Sequence, residues 1–191
     1  MPSPPTVTPL PSLDVSTHTV PAHPASRLPN SGPSHKPLLI YRRAFPNLPC
    51  TDPSAAADTI EQHLNSVGAV KPQWRYGMYR TTHFHSTTHE VLCVSSGRAK
   101  LLFGGEENPG RVEVVVERGD VVVVPAGVAH RLLEEIGEGR VEMVGAYPVG
   151  AEGWDMCYGR EGEEAKVEGI KGLAWFGRDP VYGEEGPVLG V

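Results

Sequence analysis

The sequence contains few cysteines and no long apolar run. Its three cysteines, Cys50, Cys93 and Cys157, are an odd number without a C-x-x-C spacing. This pattern argues against a disulfide framework and against a cysteine zinc site, and it fits a reducing compartment. Because no stretch approaches the roughly 18 consecutive apolar residues of a transmembrane helix, we do not expect the chain to enter a membrane.

Positive charge is also scarce. Lys and Arg together number 17 against 23 Asp and Glu, which gives a net charge of −6 with neutral histidines. A protein that binds a phosphate backbone needs a basic surface, so nucleic acid is not an expected partner. Residues 1–25 lack the basic start and the apolar run of a secretory leader. We therefore expect a cytoplasmic protein.

Proline is concentrated near the start of the chain, where 13 of the 19 prolines lie within residues 1–53. Prolines at this density interrupt helices and central strands. We therefore expect residues 1–35 to form a disordered or extended proline-rich tail, either simply solvated or acting as a ligand for a partner domain. On this interpretation the tail is dispensable for folding.

One helix is predicted after a short strand at residues 37–41. Asp52 or Ser54 can cap its start, Ile60, Leu64 and Val67 then share one apolar face, and Gly68 is a plausible end. From residue 74 to residue 148, short runs rich in Val, Thr, Tyr and Leu alternate with turn signals, which is typical of an all-β sandwich or barrel. We divide the chain into the tail, a barrel domain with a preceding helix at 36–150, and an extension at 151–191 that packs on the barrel.

Four side chains of the predicted β region can converge on one ion. His83 and His85 are two residues apart and would point to the same face of a strand. Glu90 follows a polar turn, and His130 comes from a separate strand after Pro125. Three imidazoles and one carboxylate form a mixed nitrogen and oxygen site that leaves positions open on a metal preferring five or six ligands.

The spacing of these residues forms two blocks. The first runs from Gly77 through His83, His85 and Glu90 to Gly97, and the second from Gly119 through Pro125 and Gly127 to His130. They resemble the two motifs of the cupin superfamily, G-x5-H-x-H-x4-E-x6-G and G-x5-P-x-G-x2-H-x3-N. The chain departs from the second motif at its last position, where Glu134 replaces an Asn that is not a ligand.

The resemblance to cupins, which are RmlC-like proteins, implies an antiparallel jelly-roll β-barrel that holds one divalent transition metal ion, Mn, Fe, Zn, Ni or Co. It implies that His83, His85, Glu90 and His130 are the four ligands. The wider chain also resembles the single-domain YjlB-like cupins in five stretches, residues 37–41, 83–92, 144–148, 155–159 and 179–183. Many single-domain cupins form homodimers through an N-terminal strand, and residues 37–41 could play that part.

Three functions are compatible with this resemblance. The first is a metal-dependent oxidoreductase of the dioxygenase or oxalate-oxidase kind, acting on a small oxygen-rich molecule. The second is a metal-dependent isomerase of a sugar or hydroxy-acid derivative, and the third is a non-catalytic cupin that binds a small ligand. Oxygen consumption separates the first from the second, whereas the third predicts no turnover.

Several further side chains are candidates for the pocket. Counting back from His83 in steps of two places Thr81 and Tyr79 on its face, and Tyr79 is the candidate catalytic residue because a phenol can act as an acid. Thr81 is better explained by packing. His89 is expected to face outward or to lie in a turn, and the alternative is that it supports one of the metal ligands. In the extension, Asp155 and Tyr158 are expected either to line the pocket mouth or to plug the outer sheet face.

Overall fold

The computed structural model describes residues 7–191, which form nine strands, two α-helices and short 3-10 turns. The strands are β1 (Asp14–His18), β2 (Leu38–Arg42), β3 (Val70–Tyr76), β4 (Glu90–Ser96), β5 (Arg98–Phe103), β6 (Val112–Glu117), β7 (Val121–Val124), β8 (His130–Glu135) and β9 (Glu142–Pro148). The helices are α1 (Pro53–Val67) and α2 (Glu164–Gly169). This mostly β architecture agrees with the expected all-β jelly roll.

The strands form two antiparallel sheets. The larger sheet has the order β1-β2-β7-β4-β9-β3, and the smaller has the order β6-β5-β8. Strand β7 is apolar on both faces because each face meets a different layer. Val122 and Val124 point into the space between the sheets, whereas Val121 and Val123 face the cluster that contains α1 and the extension.

Helix α1 has the predicted ends. The Asp52 carboxylate accepts hydrogen bonds from the amides of Ser54 at 2.9 Å and Ala55 at 3.2 Å, which satisfies two of the free N–H groups of the first turn. Gly68 ends the helix in the left-handed conformation, with φ of 73°, which favours glycine. Ile60 and Leu64 are fully buried against the large sheet.

Of the expected disordered or extended tail, residues 7–35 are ordered, in part extended, and packed on the barrel, so they are not a solvated tail, whereas residues 1–6 lie outside the described part of the chain. Strand β1 pairs with β2 along its whole length. Val20 and Leu28 are buried, and the Asn30 side chain links the segment to the barrel by accepting from the Ala129 amide at 3.1 Å. The prolines flank β1 and do not interrupt it, and β1 is an edge strand, where prolines are tolerated.

Strand β2, which occupies the segment expected to form a dimer contact, has no free edge. It is hydrogen-bonded to β1 on one side and to β7 on the other. A second copy could therefore not add to it without displacing β1. The homodimer stays a prediction, but residues 37–41 are not the strand that would form it.

The extension packs on the outer face of the large sheet. Phe176, Val181 and Val188 are buried with the side chains of α1 and the sheet. A buried hydrogen bond of 2.8 Å from the Tyr41 hydroxyl to the Asp179 carboxylate joins β2 to this segment. Within residues 7–191 no helix is long and apolar enough to cross a membrane.

The N-terminal segment should contribute to stability, contrary to the expectation from proline content. Replacing Leu28, which is 5% exposed, with alanine should lower the free energy of unfolding by about 2–4 kcal/mol because it leaves a cavity under the segment. The matched Leu189→Ala variant removes a leucine that is 40% exposed and should change the value by less than about 0.5 kcal/mol. Urea unfolding of both variants checks this, and equal midpoints would show that the segment is not part of the core.

Candidate metal centre

Two short backbone contacts position the histidines. His83 and His130 form an isolated antiparallel bridge, in which the His130 amide donates to the His83 carbonyl at 2.8 Å. The Gly127 amide donates to the His85 carbonyl at 2.8 Å. His83 and His85 therefore lie in an extended segment held by single bridges, not in a regular strand as expected. Glu90 and His130 are the first residues of β4 and β8, as the sequence predicts for Glu90.

Backbone carbonyls fix the orientation of all three imidazoles. Each ring places its Nδ1 within hydrogen-bonding distance of one carbonyl: His83 at 2.9 Å from Thr81, His130 at 2.9 Å from Val128, and His85 against Asp155. A carbonyl only accepts hydrogen bonds, so each Nδ1 must carry the proton. Each Nε2 then keeps its lone pair, which is the arrangement that metal-binding histidines adopt.

The three imidazoles converge on one buried point beside a carboxylate. One ring nitrogen of each of His83, His85 and His130 lies within 4.8 Å of the others, so the three side chains could hold a metal ion. Glu90 lies beside two of them, with Oε1 at 3.4 Å from the His85 Nε2 and Oε2 at 3.3 Å from the His130 Nε2. All four side chains are at most 5% exposed.

The electrostatics of the cluster suit a cation. Burial opposes the charge on Glu90, but His85 and His130 outweigh it and hold the pKa of this carboxyl well below its ordinary value. Burial would likewise lower the pKa of His85, yet the Glu90 carboxylate raises it. The pKa of His83 falls to about 3, first because of burial and then because of His130, so this ring is neutral.

One oxygen of the cluster has no hydrogen-bond donor within residues 7–191, although the His130 Nε2 lies 3.3 Å from it. The Glu90 Oε2 is buried and accepts no hydrogen bond among the described residues. A buried carboxylate oxygen without a donor is costly unless a cation satisfies it. Together with the three Nε2 atoms, which carry lone pairs when the rings are neutral, this oxygen fits a divalent transition metal ion, whose common protein ligands are imidazole and carboxylate.

A tyrosine that the sequence reasoning missed completes the site. The Tyr147 hydroxyl donates to the Glu90 Oε1 at 2.6 Å, and the Trp74 indole donates to the Tyr147 oxygen at 2.9 Å. Burial and then the negative charge of Glu90 raise the pKa of Tyr147, which keeps the phenol protonated. Gly145 leaves room for the Trp74 ring that makes this hydrogen bond, because a Cβ at residue 145 would lie 1.9 Å from that ring. No local motif signals this pairing, since 57 residues separate Tyr147 from Glu90.

The cluster lies in a cavity of about 250 Å³ with largely apolar walls. Its lining includes Trp74, Arg75, Tyr76, Met78, Tyr79, Leu92, Tyr147, Trp154 and Met156 as well as the three histidines and Glu90. The candidate Tyr79 is 50% exposed, and its ring centroid lies 5.6 Å from that of His83. Thr81 is exposed and contributes its carbonyl to His83, so its side chain does not line the cavity.

The extension covers one side of this cavity, as one of the two expectations proposed. The Trp154 ring stacks on Tyr147 with centroids 6.3 Å apart and meets His85 edge-on at 5.8 Å. The Asp155 carboxylate accepts from the amide of Ser86 at 2.7 Å and from its hydroxyl at 2.8 Å, which fastens the extension beside His85. Tyr158 does not line the cavity and is packed under the Arg160 guanidinium.

His89 points away from the metal centre but is not exposed. The ring is 2% exposed, and its Nδ1 accepts from the Ala126 amide at 2.9 Å. It packs edge-on against Trp175 at 4.8 Å and beside Phe176. Burial lowers the pKa of His89 to about 4. The His89 side chain thus points away from the barrel interior, as expected. It is not exposed to solvent, because the extension covers this face of the large sheet.

Comparison with known proteins gives consistent results. The family model described as a cupin domain matches residues 74–147. The chain is 33% identical over 162 residues to the uncharacterised protein YjlB of Bacillus subtilis (strain 168), and the match covers 83% of this chain and 88% of YjlB.

Solved structures of lower similarity also match. A mutant of Bacillus subtilis oxalate decarboxylase is 24% identical, with a TM-score of 0.32 and coverage of 41% of this chain and 20% of that chain. Vicilin from Capsicum annuum is 17% identical, with a TM-score of 0.36 and coverage of 47% and 24% respectively. The match thus covers about a fifth of the oxalate decarboxylase chain and about a quarter of the vicilin chain.

Removing two imidazoles should empty the centre. We expect the His83→Ala, His85→Ala double variant to fall from about one metal ion per chain to below about 0.1, because two of the converging nitrogens are lost. Elemental analysis of protein purified without chelator gives the metal content, and circular dichroism checks that the β fold persists. Full occupancy in the double variant would contradict the assignment of these histidines.

Tyr147→Phe should weaken metal binding without removing a ligand. Loss of the phenol leaves the Glu90 Oε1 without its donor, so the carboxylate is no longer held in one orientation, and we expect a roughly 10- to 100-fold lower metal affinity. The matched Tyr76→Phe variant, at a tyrosine that is 58% exposed, should bind like the parent protein. Competition with a metal indicator measures both affinities, and equal values would exclude an orienting role for Tyr147.

Proposed function

This chain is a cupin of the YjlB-like family, and from that premise we propose that it is a metal-dependent oxidoreductase acting on a small oxygen-bearing molecule. One divalent transition metal ion, among Mn, Fe, Co, Ni and Zn, would be held by His83, His85, Glu90 and His130. The observation that supports this proposal is the convergence of three oriented imidazoles and an unpartnered carboxylate oxygen at one wall of an apolar cavity.

The donor set is suited to oxidation chemistry because it does not fill all the coordination positions of the ion. Four protein atoms are fewer than the six ligands that Mn²⁺ or Fe²⁺ prefers, so positions remain for small molecules. When bound, such an ion supplies Lewis acidity and one-electron or O₂ chemistry. The protein contributes the fixed orientation of the imidazoles and a single negative charge from Glu90.

The cavity walls limit the access of water. Trp154 covers one side by stacking on Tyr147, and the backbone that carries it is fastened through Asp155 to Ser86. Excluding water strengthens the electrostatic interactions inside a site and prevents side reactions of reactive species. This arrangement favours chemistry on a substrate that enters the cavity over simple storage of an ion near the surface.

Tyr79 is the residue that we propose as proton donor. Its side chain lines the cavity next to His83, and its half-exposed ring lets the hydroxyl exchange protons with solvent. A proton at the Tyr79 Oη could then be given to a substrate oxygen that faces His83. Tyr147 is less suited to this task because its proton is already committed to Glu90.

The isomerase alternative has less support among the described residues. Moving a proton between adjacent carbons needs a base near the substrate in addition to an ion. Apart from the four proposed ligands, the titratable side chains that line the cavity are Arg75, Tyr76, Tyr79 and Tyr147. None of these is a carboxylate or an imidazole, which are the common bases.

An oxygen electrode tests the proposal. Protein loaded with Fe²⁺ or Mn²⁺ should consume O₂ with a member of a panel of small phenols, hydroxy acids and keto acids, and the His83→Ala, His85→Ala variant should not. With that substrate, Tyr79→Phe should lower kcat by about 100-fold or more, the usual contribution of a general acid, while Tyr76→Phe stays close to the parent value. Turnover without O₂ uptake would identify an isomerase, and ligand binding without turnover would identify a binding protein.

A further inference from the structure

We infer that the cavity selects a single aromatic ring bearing one or two hydroxyl or carbonyl oxygens, and that it rejects small dicarboxylates. This inference rests on the proposed metal centre and names its class of substrate. It narrows the class of oxygen-rich substrate expected from the sequence. The oxygens of the substrate would lie beside the histidines, and its apolar ring would contact the rest of the cavity lining.

Apart from the proposed ligands, the cavity is lined largely by aromatic and thioether groups. Trp74, Tyr147 and Trp154 supply flat rings, and Met78 and Met156 supply polarizable sulfur. Aromatic rings pack favourably edge-on or offset against such rings, and methionine sulfur makes favourable contacts with ring edges. A small dicarboxylate has no surface that can use these contacts.

The cavity offers no free cation for a second carboxylate. Arg75 is the one basic residue, apart from the histidines, among the described residues that line it. Its guanidinium is already paired with the Asp58 carboxylate at 2.5 Å and with both oxygens of Glu61 at 2.7 and 2.8 Å. A substrate carboxylate that does not reach the ion would therefore be buried without a counter-charge, which is costly.

The charge at the proposed centre matches a monoanion. A divalent ion held by three neutral imidazoles and the Glu90 carboxylate leaves one net positive charge. One phenolate or enolate oxygen neutralises this charge, whereas a dicarboxylate brings one negative charge too many into an apolar space. A neighbouring hydroxyl or carbonyl oxygen of the same ring adds a second donor atom without adding charge.

The size of the cavity suits one substituted ring. An apolar cavity of about 150 Å³ is enough for one benzene ring, and pockets for drug-sized ligands begin at about 300 Å³. The cavity here, at about 250 Å³, lies between these values and fits one substituted ring. The half-exposed rings of Tyr76 and Tyr79, whose centroids are 5.6 Å apart, continue the aromatic surface from the cavity to solvent.

Binding of catechol and oxalate tests the inference independently of turnover. Both present two oxygen donors, but only catechol carries a ring. With the Mn²⁺-loaded full chain under nitrogen, isothermal titration should give a dissociation constant for catechol at least about 10-fold lower than that for oxalate. Equal or tighter binding of oxalate would overturn the inference. Metal content measured after each titration shows that catechol has bound to the protein and has not stripped the ion.

Variants of the aromatic wall locate the selectivity. Trp154→Ala should weaken catechol binding by at least about fivefold and leave oxalate binding within about twofold. The reason is that the catechol ring would contact the Trp154 indole, whereas oxalate has no ring. Met156→Ala, which removes a thioether from the cavity lining, provides a second wall variant if Trp154→Ala loses metal. Val149→Ala, at a residue that is 63% exposed and outside the cavity, is the control.

The outcomes separate this inference from the proposed function. If both wall variants bind catechol as tightly as the parent, the wall does not select the ring and the inference fails. If the parent binds catechol selectively but consumes no O₂ with any phenol, the ring selectivity stands and the oxidoreductase proposal fails.

Discussion

The candidate metal centre depends on three hydrogen bonds between imidazole Nδ1 atoms and backbone carbonyls. They determine which nitrogen of His83, His85 and His130 carries the proton, and they turn the remaining nitrogens toward one point. Two of the carbonyls lie two residues before their histidine, in the same segment of chain. The third belongs to Asp155, 70 residues from His85, so the extension supplies part of the support for the centre.

At the start of β4, neighbouring side chains lie on opposite faces of the large sheet. Because side chains alternate along a strand, Glu90 faces the cavity while His89 and Val91 face the layer formed by α1 and the extension. His89 has an acceptor nitrogen bound to the Ala126 amide, in the turn that precedes His130. The same strand end therefore carries the carboxylate of the site and also anchors the turn that delivers the third imidazole.

The sequence predicted what local patterns and spaced motifs can specify. The ends of α1 follow from Asp52 and Gly68, and the four converging side chains follow from two motif blocks. Long-range pairings could not be predicted, because nothing near Tyr147 or Asp155 indicates its partner 57 or 70 residues away. The packing of the N-terminal segment could not be predicted from its prolines. A high proline content disfavours helices and central strands, but it does not exclude a paired edge strand.

The extension links substrate access to the order of the metal centre. Trp154 forms a wall of the cavity, and the next residue, Asp155, gives its carbonyl to His85 and its carboxylate to Ser86. Moving Trp154 away from Tyr147 would pull on a peptide that also orients His85. The wall that we propose to select the substrate and the support of the proposed centre thus depend on the same two adjacent residues.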